Sequence, residues 1–406
     1  MVITGLITEY NPFHNGHLYH LMNAKKITGA DMIVVVMSGN FVQRGTPALL
    51  DKWTRTEMAL RCGADLVLEL PSVYATGSAE LFALGAVRVL HGLKKVGHVV
   101  FGSESGDISP LHQVANFIQT ESDDFKEALK LELEKGLSFP VARERALSKL
   151  LQGNNIPNLP NDILGIEYLK AGLQLNTSIE FHTMKRLSSD YHDLDTDKAL
   201  SSATAIRKSF SQGNVDSISH TMPKASYELM QACSNNAVWP TDLSQLLLYK
   251  IRSMSREDIK EIHGISEGLE NRIKDASLKA TDYESLVEMI KTKRYVRTRI
   301  QRTLLNILLG VKSEFVSKVY STSNAAYGRV LGFNDNGRSL IGHIRKDCEI
   351  PLVTNVNKYV ADDQLIEAML NMDLMCTDIY TLLRGDGKGA LDRLKQPIYL
   401  KSNDNK

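Results

Sequence analysis

Cysteine is scarce and scattered in this chain. Cys62, Cys233, Cys348 and Cys376 stand far apart with no paired spacing, which argues against a disulfide framework or a zinc knuckle and reads as reduced cytosolic thiols. No stretch approaches the roughly 20 apolar residues of a membrane span. The N-terminus carries no basic leader with an apolar signal core, so a cytoplasmic location is the expectation. Charge of either sign is not in excess: 48 Lys and Arg against 47 Asp and Glu leave a formal net charge of +1. An acidic partner therefore has to be met by a local basic patch. Internal repeats and low-complexity runs are also missing. What is present is a chain of 406 residues, 43% hydrophobic and 23% charged, an ordinary globular composition with length enough for two domains.

From the N-terminus to Ser105, short apolar runs alternate with helical patterns: "VITGLITEY", a helix from Gly16, "DMIVVVMS", a helix over "KWTRTEMALRCG", "DLVLELP", a helix over "SAELFALGAVRVL", then "HVVFGSES". Continuous β-branched runs without alternation suit strands buried on both faces. The fold class is therefore α/β, a Rossmann-like parallel sheet with helices on each side. Such sheets bind ligands at the carboxyl ends of their strands. Charged helical sequence interrupts the rhythm at about 108–160, an insertion, after which "PNDILGIEYLKAGL" and "SIEFHTMKR" read as one more helix and strand returning to the sheet. "SSATAIRKSFSQG" closes the unit as a short helix opened by Ser201 or Ser202 and stopped at Gly213. These signals place a first domain at about 1–215 and a mainly helical second one at about 216–406. The second carries a small β element, where Asp335-Asn336-Gly337 signals a hairpin turn and "PLVTNVNKY" offers a strand.

The first strand-to-helix turn, "EYNPFHNGHLYHL", crowds histidines around a glycine. Helix N-terminal amides and the macrodipole favour anions there. Gly16 lets backbone approach a ligand closely while His14 and His17 converge on one phosphate chain. The plain alternative is a polar helix start with surface histidines, and His20, one turn on, reads as facing solvent. His14-Asn15-Gly16-His17 matches the HxGH signature of nucleotidyltransferases and class I synthetases. Its usual companion, a Ser/Thr-rich helix start of the form ISSTxIR, stands here as "SSATAIR": Ser202, Thr204, Ile206 and Arg207 keep the pattern, Ser201 and Ala203 depart from it. Arg207 would share the phosphate charge; a solvated helix arginine is the alternative.

Other segments fall at strand ends or helix starts. Gly102 in "FGSES" offers bare backbone to a base or ribose, or is a turn glycine. Asn161 in "PNDILG" is a helix cap or a ligand contact. Lys185 and Arg186 follow a strand, where a cation meets phosphates or is merely exposed, and "KRLSS" matches a synthetase-type mobile loop too loosely to use. "SGNFVQRGTPALLDKWTR" reads as a long polar loop with Arg44, Lys52 and Arg55 at an edge that often holds substrate.

Taken together, "GLITEYNPFHNGHLYHL", "SGNFVQRG", "DKWTRTEMAL", "FGSES", "KRLSSDYHD", "SSATAIR" and "YGRVLGFN" resemble the tRNA(Met) cytidine acetate ligase family over the whole chain. The resemblance implies a nucleotidyltransferase-like domain, a C-terminal RNA-binding domain, and acetylation of N4 of the wobble cytidine of elongator tRNA(Met) from acetate and ATP. It also implies an ATP site made of Ile7, Thr8, Glu9, Tyr10, Asn11, Pro12, Phe13, His14, Asn15, Gly16, His17, Leu18, Tyr19 and His20, with Gly102, Asn161 and Arg186. Acetate would attack the α-phosphorus to give acetyl-adenylate. His14, His17, Arg207 and a Mg²⁺ ion riding on the nucleotide would neutralise charge, since no short-range metal-ligand cluster stands in the sequence.

A tRNA substrate requires the local basic patch, and "KTKRYVRTRIQRTLLNILLG" supplies it. Lys291, Lys293, Arg294, Arg297, Arg299 and Arg302 come without an acidic residue among them, and Val296, Ile300, Leu304 and Ile307 mark a buried stripe. A solvated basic helix face is the bland reading. Two rival functions remain: a small-molecule adenylyltransferase, which needs no such helix, and a noncatalytic RNA-binding protein, which leaves His14 and His17 idle.

Overall fold

The computed structural model describes residues 1–120, 123–137, 139–150, 159–186, 201–266 and 268–401. Among these residues ten strands form in chain order: β1 (Ile3–Thr8), β2 (Met32–Ser38), β3 (Phe41–Val42), β4 (Thr46–Pro47), β5 (Leu66–Leu70), β6 (His98–Ser103), β7 (Glu180–Lys185), β8 (Gly328–Asn334), β9 (Leu352–Val353) and β10 (Ile398–Leu400). Eight of them make one sheet in the order β10-β8-β5-β2-β1-β6-β7, with β9 beside β8, while β3 and β4 pair as a small antiparallel ribbon. Every pairing in the large sheet is parallel except β5 with β8.

Nine helices of the first part are α1 (Asn15–Thr28), α2 (Lys52–Arg61), α3 (Ser72–Ala75), α4 (Ala79–Gly92), α5 (Ile108–Thr120), α6 (Asp123–Glu134), α7 (Phe139–Leu150), α8 (Pro160–Gln174) and α9 (Ala203–Ser211). They cover both faces of the sheet, which explains the unalternating strands. Val34, Val36, Leu66, Leu68, Val99 and Phe101 enter one apolar cluster with α4 and α8, whereas Leu6, Ile33, Val35, Met37, Val67 and Val100 enter a second with α1 and α2. The α/β reading and the returning helix and strand, α8 and β7, are therefore borne out. Helices α5 to α7 occupy the expected insertion.

The C-terminal part differs from expectation in two respects. Its small β element belongs to the main sheet, with β8 lying against β5 and β10 against β8. Asp335-Asn336-Gly337 is not a hairpin turn but the first turn of the Asp335–Asp347 helix. The physical reason is the residue before it: Asn334 adopts extended backbone and its Oδ1 accepts the Gly337 N–H at 2.9 Å, an N-cap that diverts the chain into helix. "PLVTNVNKY" does contribute the short strand β9, parallel to β8. The remaining helices, among them Ser244–Ser253, Leu269–Lys279, Tyr283–Ile290 and Arg297–Leu309, bury Leu247, Ile251, Ile273, Leu286, Ile300 and Leu304 in the first of the two clusters. No helix among the described residues is long and apolar enough to cross a membrane.

Candidate active site

The chain leaves β1 at its carboxyl edge and turns into α1. Tyr10, with φ of 48°, makes the bend, and its fully buried ring meets Phe13 at 4.6 Å and His17 at 4.9 Å between centroids. Asn11 ties the loop down twice: its Oδ1 accepts the Leu49 N–H at 2.8 Å, and its carbonyl accepts Arg207 Nη1 at 2.6 Å. The side chains of Tyr10, Asn11 and Phe13 are thus buried scaffold, leaving backbone as what they offer a ligand.

His14 is the N-cap of α1, an unusual choice that the sequence makes workable. Its Nδ1 accepts the Gly16 N–H at 3.0 Å, and His17 Nδ1 reaches back to accept the His14 N–H at 3.3 Å. This reciprocal pair does the work of a capping box. A Cβ at position 16 would lie 2.8 Å from His14 Cε1, so only glycine admits the imidazole here. Because both Nδ1 atoms accept, each neutral ring must carry its proton on Nε2. Neutrality is enforced electrostatically. Burial, followed by Arg186 and Arg207, pushes His14 down to about 3; burial, then His14, Arg186 and His20, holds His17 well below its ordinary value. His17 is also hydrogen-bonded to the Pro12 backbone, which opposes part of that lowering. Two neutral imidazoles thus stand at a helix start with no acidic residue in its first turn, a setting that favours an anion.

His20 does not face solvent as the sequence indicated. Its Nε2 lies 3.0 Å from the Val100 carbonyl of β6, and burial lowers its pKa to about 4. Leu18 packs against the α1-side core beside it. The expected contacts on the next strands come together at the same edge. Arg186 follows β7, its N–H bonded to the Ser103 carbonyl. Its Nη1 bonds Asn161 Oδ1 at 3.2 Å, and a Cβ on Gly102 would sit 3.0 Å from Arg186 Cγ. Asn161 is not the cap of α8, whose N-cap is Leu159; it lies in the first turn, where its Nδ2 donates to Glu104 Oε1 at 2.6 Å. Glu104 also accepts the N–H of Asn161 and of Asp162, while Asp162 Oδ1 accepts the Glu104 N–H at 3.0 Å. Burial and then the Glu104 charge raise the Asp162 carboxyl. The second motif opens α9, with Ser202 Oγ capping the Ala205 N–H at 3.1 Å. Arg207 from that helix reaches both Asn11 and, at 3.2 Å, Thr204 Oγ1. Gly213, at φ of 78°, follows the end of α9 as expected. Residues 187–193, with most of the KRLSSDYHD block, lie outside the described residues.

Three comparisons bear on this geometry. The family model of the HIGH Nucleotidyl Transferases matches residues 1–392. Similar curated proteins include the tRNA(Met) cytidine acetate ligases of Acetivibrio thermocellus, 45% identical over 94% of this chain and 95% of that one, and of Alkaliphilus metalliredigens, 39% identical over 99% of each. The chain belongs to the tRNA(Met) cytidine acetate ligase family. Crystal structures of Thermotoga maritima TmcAL agree in fold. One bound with alpha-thio ATP superposes at a TM-score of 0.91 with 36% identity, covering 99% of this chain and all of that one, and an apo form superposes at 0.94 with 37% identity and 99% of this chain covered.

Within this family frame, the polar loop after β2 plays a different part from the one its composition indicated. Lys52 is fully buried, its Nζ 2.7 Å from Glu69 Oε1 and 2.7 Å from Asp392 Oδ2. Arg329 joins the same two carboxylates at 3.1 and 2.7 Å. Arg55, also fully buried, donates to the carbonyls of Glu9, Ser38, Gly39 and Leu50. Both are structural: Lys52 joins residues from the two ends of the chain, and Arg55 ties the carboxyl ends of β1 and β2 to α2. Their partners are remote in sequence, so spacing gave no hint of this.

The basic segment is only partly as expected. Its helix starts at Arg297, so Lys293 and Arg294 precede it. Ile300, Leu304 and Ile307 are buried, but Val296 is 42% exposed because it occupies the N-cap. Acids from the preceding helix compensate Arg297, which bonds Glu288 at 2.9 Å and also Glu284. The Arg299 guanidinium lies 5.0 Å from the Tyr295 ring centroid and its Nη2 3.0 Å from Ser266 Oγ. This helix abuts the β3–β4 turn, where a Cβ on Gly45 would meet the Arg302 backbone nitrogen at 2.4 Å.

Proposed function

We propose that this protein acetylates N4 of the wobble cytidine of elongator tRNA(Met), taking acetate and ATP through an acetyl-adenylate. An acetate oxygen attacks the α-phosphorus and pyrophosphate leaves. The cytidine amine then attacks the acetyl carbonyl, AMP departs, and the amine loses a proton. The first step needs no general base, only positioning and charge neutralisation. His14 supplies a neutral Nε2–H donor with the neutral His17 ring stacked on it, the start of α1 adds its partial positive charge, and Arg207 and Arg186 add full ones. Neutral donors suit the task because they stabilise anionic oxygens without titrating near pH 7. A magnesium ion riding on the triphosphate would supply further charge neutralisation. Among the described residues, the group of three histidine or carboxylate side chains able to hold an ion lies elsewhere.

Residues from about 216 onward form the tRNA-binding part in this reading, with Lys293, Arg294 and Arg299 meeting backbone phosphates and Arg297 and Arg302, held by acids and by burial, flanking them. The cytidine is splayed from the anticodon loop to reach the adenylate. A cytoplasmic location, where tRNA, acetate and ATP occur together, belongs to the same reading. The observation that carries it is the stacked, neutral His14–His17 pair at the start of α1 with Arg186 and Arg207 beside it. The test is acetate-dependent exchange of labelled pyrophosphate into ATP, paired with mass spectrometry of nucleosides from treated tRNA(Met). Exchange without N4-acetylcytidine would instead support a small-molecule adenylyltransferase.

A further inference from the structure

At the opposite end of the sheet from His14, two histidines and a glutamate meet. His98 opens β6 and Glu180 opens β7, and the parallel register sets them side by side. His182 follows Glu180 by two residues, so all three side chains project from one face of the sheet. His98 Nδ1 lies 3.1 Å from His182 Nε2 and 3.3 Å from Glu180 Oε2, and His182 Nε2 lies 3.8 Å from that same oxygen. Bonds of about 2.0–2.1 Å from a tetrahedral zinc ion to nitrogen and oxygen put its ligand atoms about 3.3–3.4 Å apart. The three atoms therefore approximate one face of such a tetrahedron.

We infer that His98, Glu180 and His182 form a binding site for a divalent transition metal, zinc by donor type, with water completing the coordination. Two imidazoles and one carboxylate favour zinc over magnesium or calcium, which take oxygen ligands. The two half-buried rings, with centroids 5.3 Å apart and planes at 44°, need only modest rotation to aim both lone pairs at one centre. A bound ion would pin the edge strand β7 to β6. The far end of β7 leads directly into Lys185 and Arg186, so the pin steadies the strand that delivers Arg186 to the nucleotide site. Ligands drawn from residues 98 and 180–182 have no short-range spacing signature, which is why the sequence did not show them.

The test uses full-length, chelator-stripped protein titrated with Zn²⁺ against a chromophoric zinc indicator, in a His17→Ala background that removes the competing imidazole pair on α1. About one tightly held equivalent is expected. Glu180→Gln, an exposed and fold-neutral change, should weaken it about tenfold or more, and His98→Ala should abolish it. Zn²⁺ should also raise the melting temperature of the parent and not of His98→Ala. If His98→Ala fails to fold, Glu180→Gln decides. Equal zinc affinity in the parent and Glu180→Gln, or no bound zinc at micromolar concentration, would overturn the site and leave a hydrogen-bonded surface cluster.

Discussion

The imidazole rings of His14 and His17 stack with centroids 3.8 Å apart and planes 28° from parallel. Each ring accepts a backbone N–H at Nδ1, so the pair organises the start of α1, and His17 is also hydrogen-bonded to the Pro12 backbone. In the proposed reading the same rings carry a structural role at Nδ1 and a chemical one at the ring's other edge. His14→Ala loses both, whereas His14→Asn retains a capping acceptor and loses the Nε2 donor. Both variants should abolish acetate-dependent pyrophosphate exchange, while only the alanine should lower stability, by about 1 kcal/mol. Undiminished exchange in His14→Asn and in His17→Ala would remove these rings from adenylate formation.

The depressed histidines also predict a pH signature. With folded-state values of about 3 for His14 and about 4 for His20 against an ordinary 6.5, the unfolded chain binds protons first. Their contribution to stability is complete above about pH 6.5 and is lost progressively as pH falls toward these folded values. Urea melts at about pH 7.5, 6 and 5 should show falling stability, with a shallower fall in His14→Asn. The exchange rate, by contrast, should show no histidine ionisation between about pH 6 and 8. A rate that follows a group titrating near 6.5 would contradict neutral donors.

Arg207 holds the Asn11 carbonyl with Nη1 and Thr204 with Nη2, linking the two motifs physically. Lysine at this position keeps the charge and loses the planar fork, so Arg207→Lys should exchange more slowly and Arg207→Ala should fall by about 10²-fold. Normal ATP affinity and normal exchange in the alanine variant would make the second motif a purely structural tie.

A fourth prediction concerns the buried ion cluster. Removing Lys52 leaves Glu69 and Asp392 with only Arg329 between them, so Lys52→Met should destabilise the fold by about 3–5 kcal/mol. Denaturant melts measure this directly. A near-neutral effect would show that Glu69 or Asp392 takes up a proton when its partner is lost.

Why some of this was legible in the sequence and some was not follows from distance along the chain. Strands such as Met32–Ser38 announce themselves because burial on both faces demands an unbroken apolar run. His14, Gly16 and His17 are equally local, since their geometry is that of one helix turn. Lys52 and Arg55 look like loop cations until Asp392 and the carbonyls at the ends of β1 and β2 are seen around them. The misreading of Asp335-Asn336-Gly337 has a similar origin: turn-forming residues also serve at helix starts, and the capping bond from Asn334 decides between the two. His20 was misassigned because the helix rotation that aims it at Val100 depends on how α1 packs on β6.

The basic segment yields the sharpest division between the two halves of the reaction. Arg297 is already engaged by Glu288 and Glu284, and Arg302 is half-buried, its charge disfavoured by burial and then by Arg299. Lys293 and Arg294 are exposed and lie just before the helix, Arg294 with its guanidinium 5.7 Å from the Tyr295 ring centroid. Phosphate binding should therefore fall mainly to Lys293, Arg294 and Arg299, with Arg297 adding little unless tRNA displaces its acidic partners. Replacing Lys293 and Arg294 with glutamine should weaken tRNA binding and reduce the slope of log affinity against log salt by up to about one unit for each phosphate no longer neutralised. Arg297→Gln alone should barely change that slope. Acetate-dependent pyrophosphate exchange should survive in both variants, because the proposed adenylate site draws on β1, α1, β6, β7 and α9 and not on this segment. Affinity is measured across a salt series, with circular dichroism confirming the fold. An unchanged slope in the folded Lys293→Gln, Arg294→Gln variant would return this segment to a solvated basic face and move the tRNA surface elsewhere.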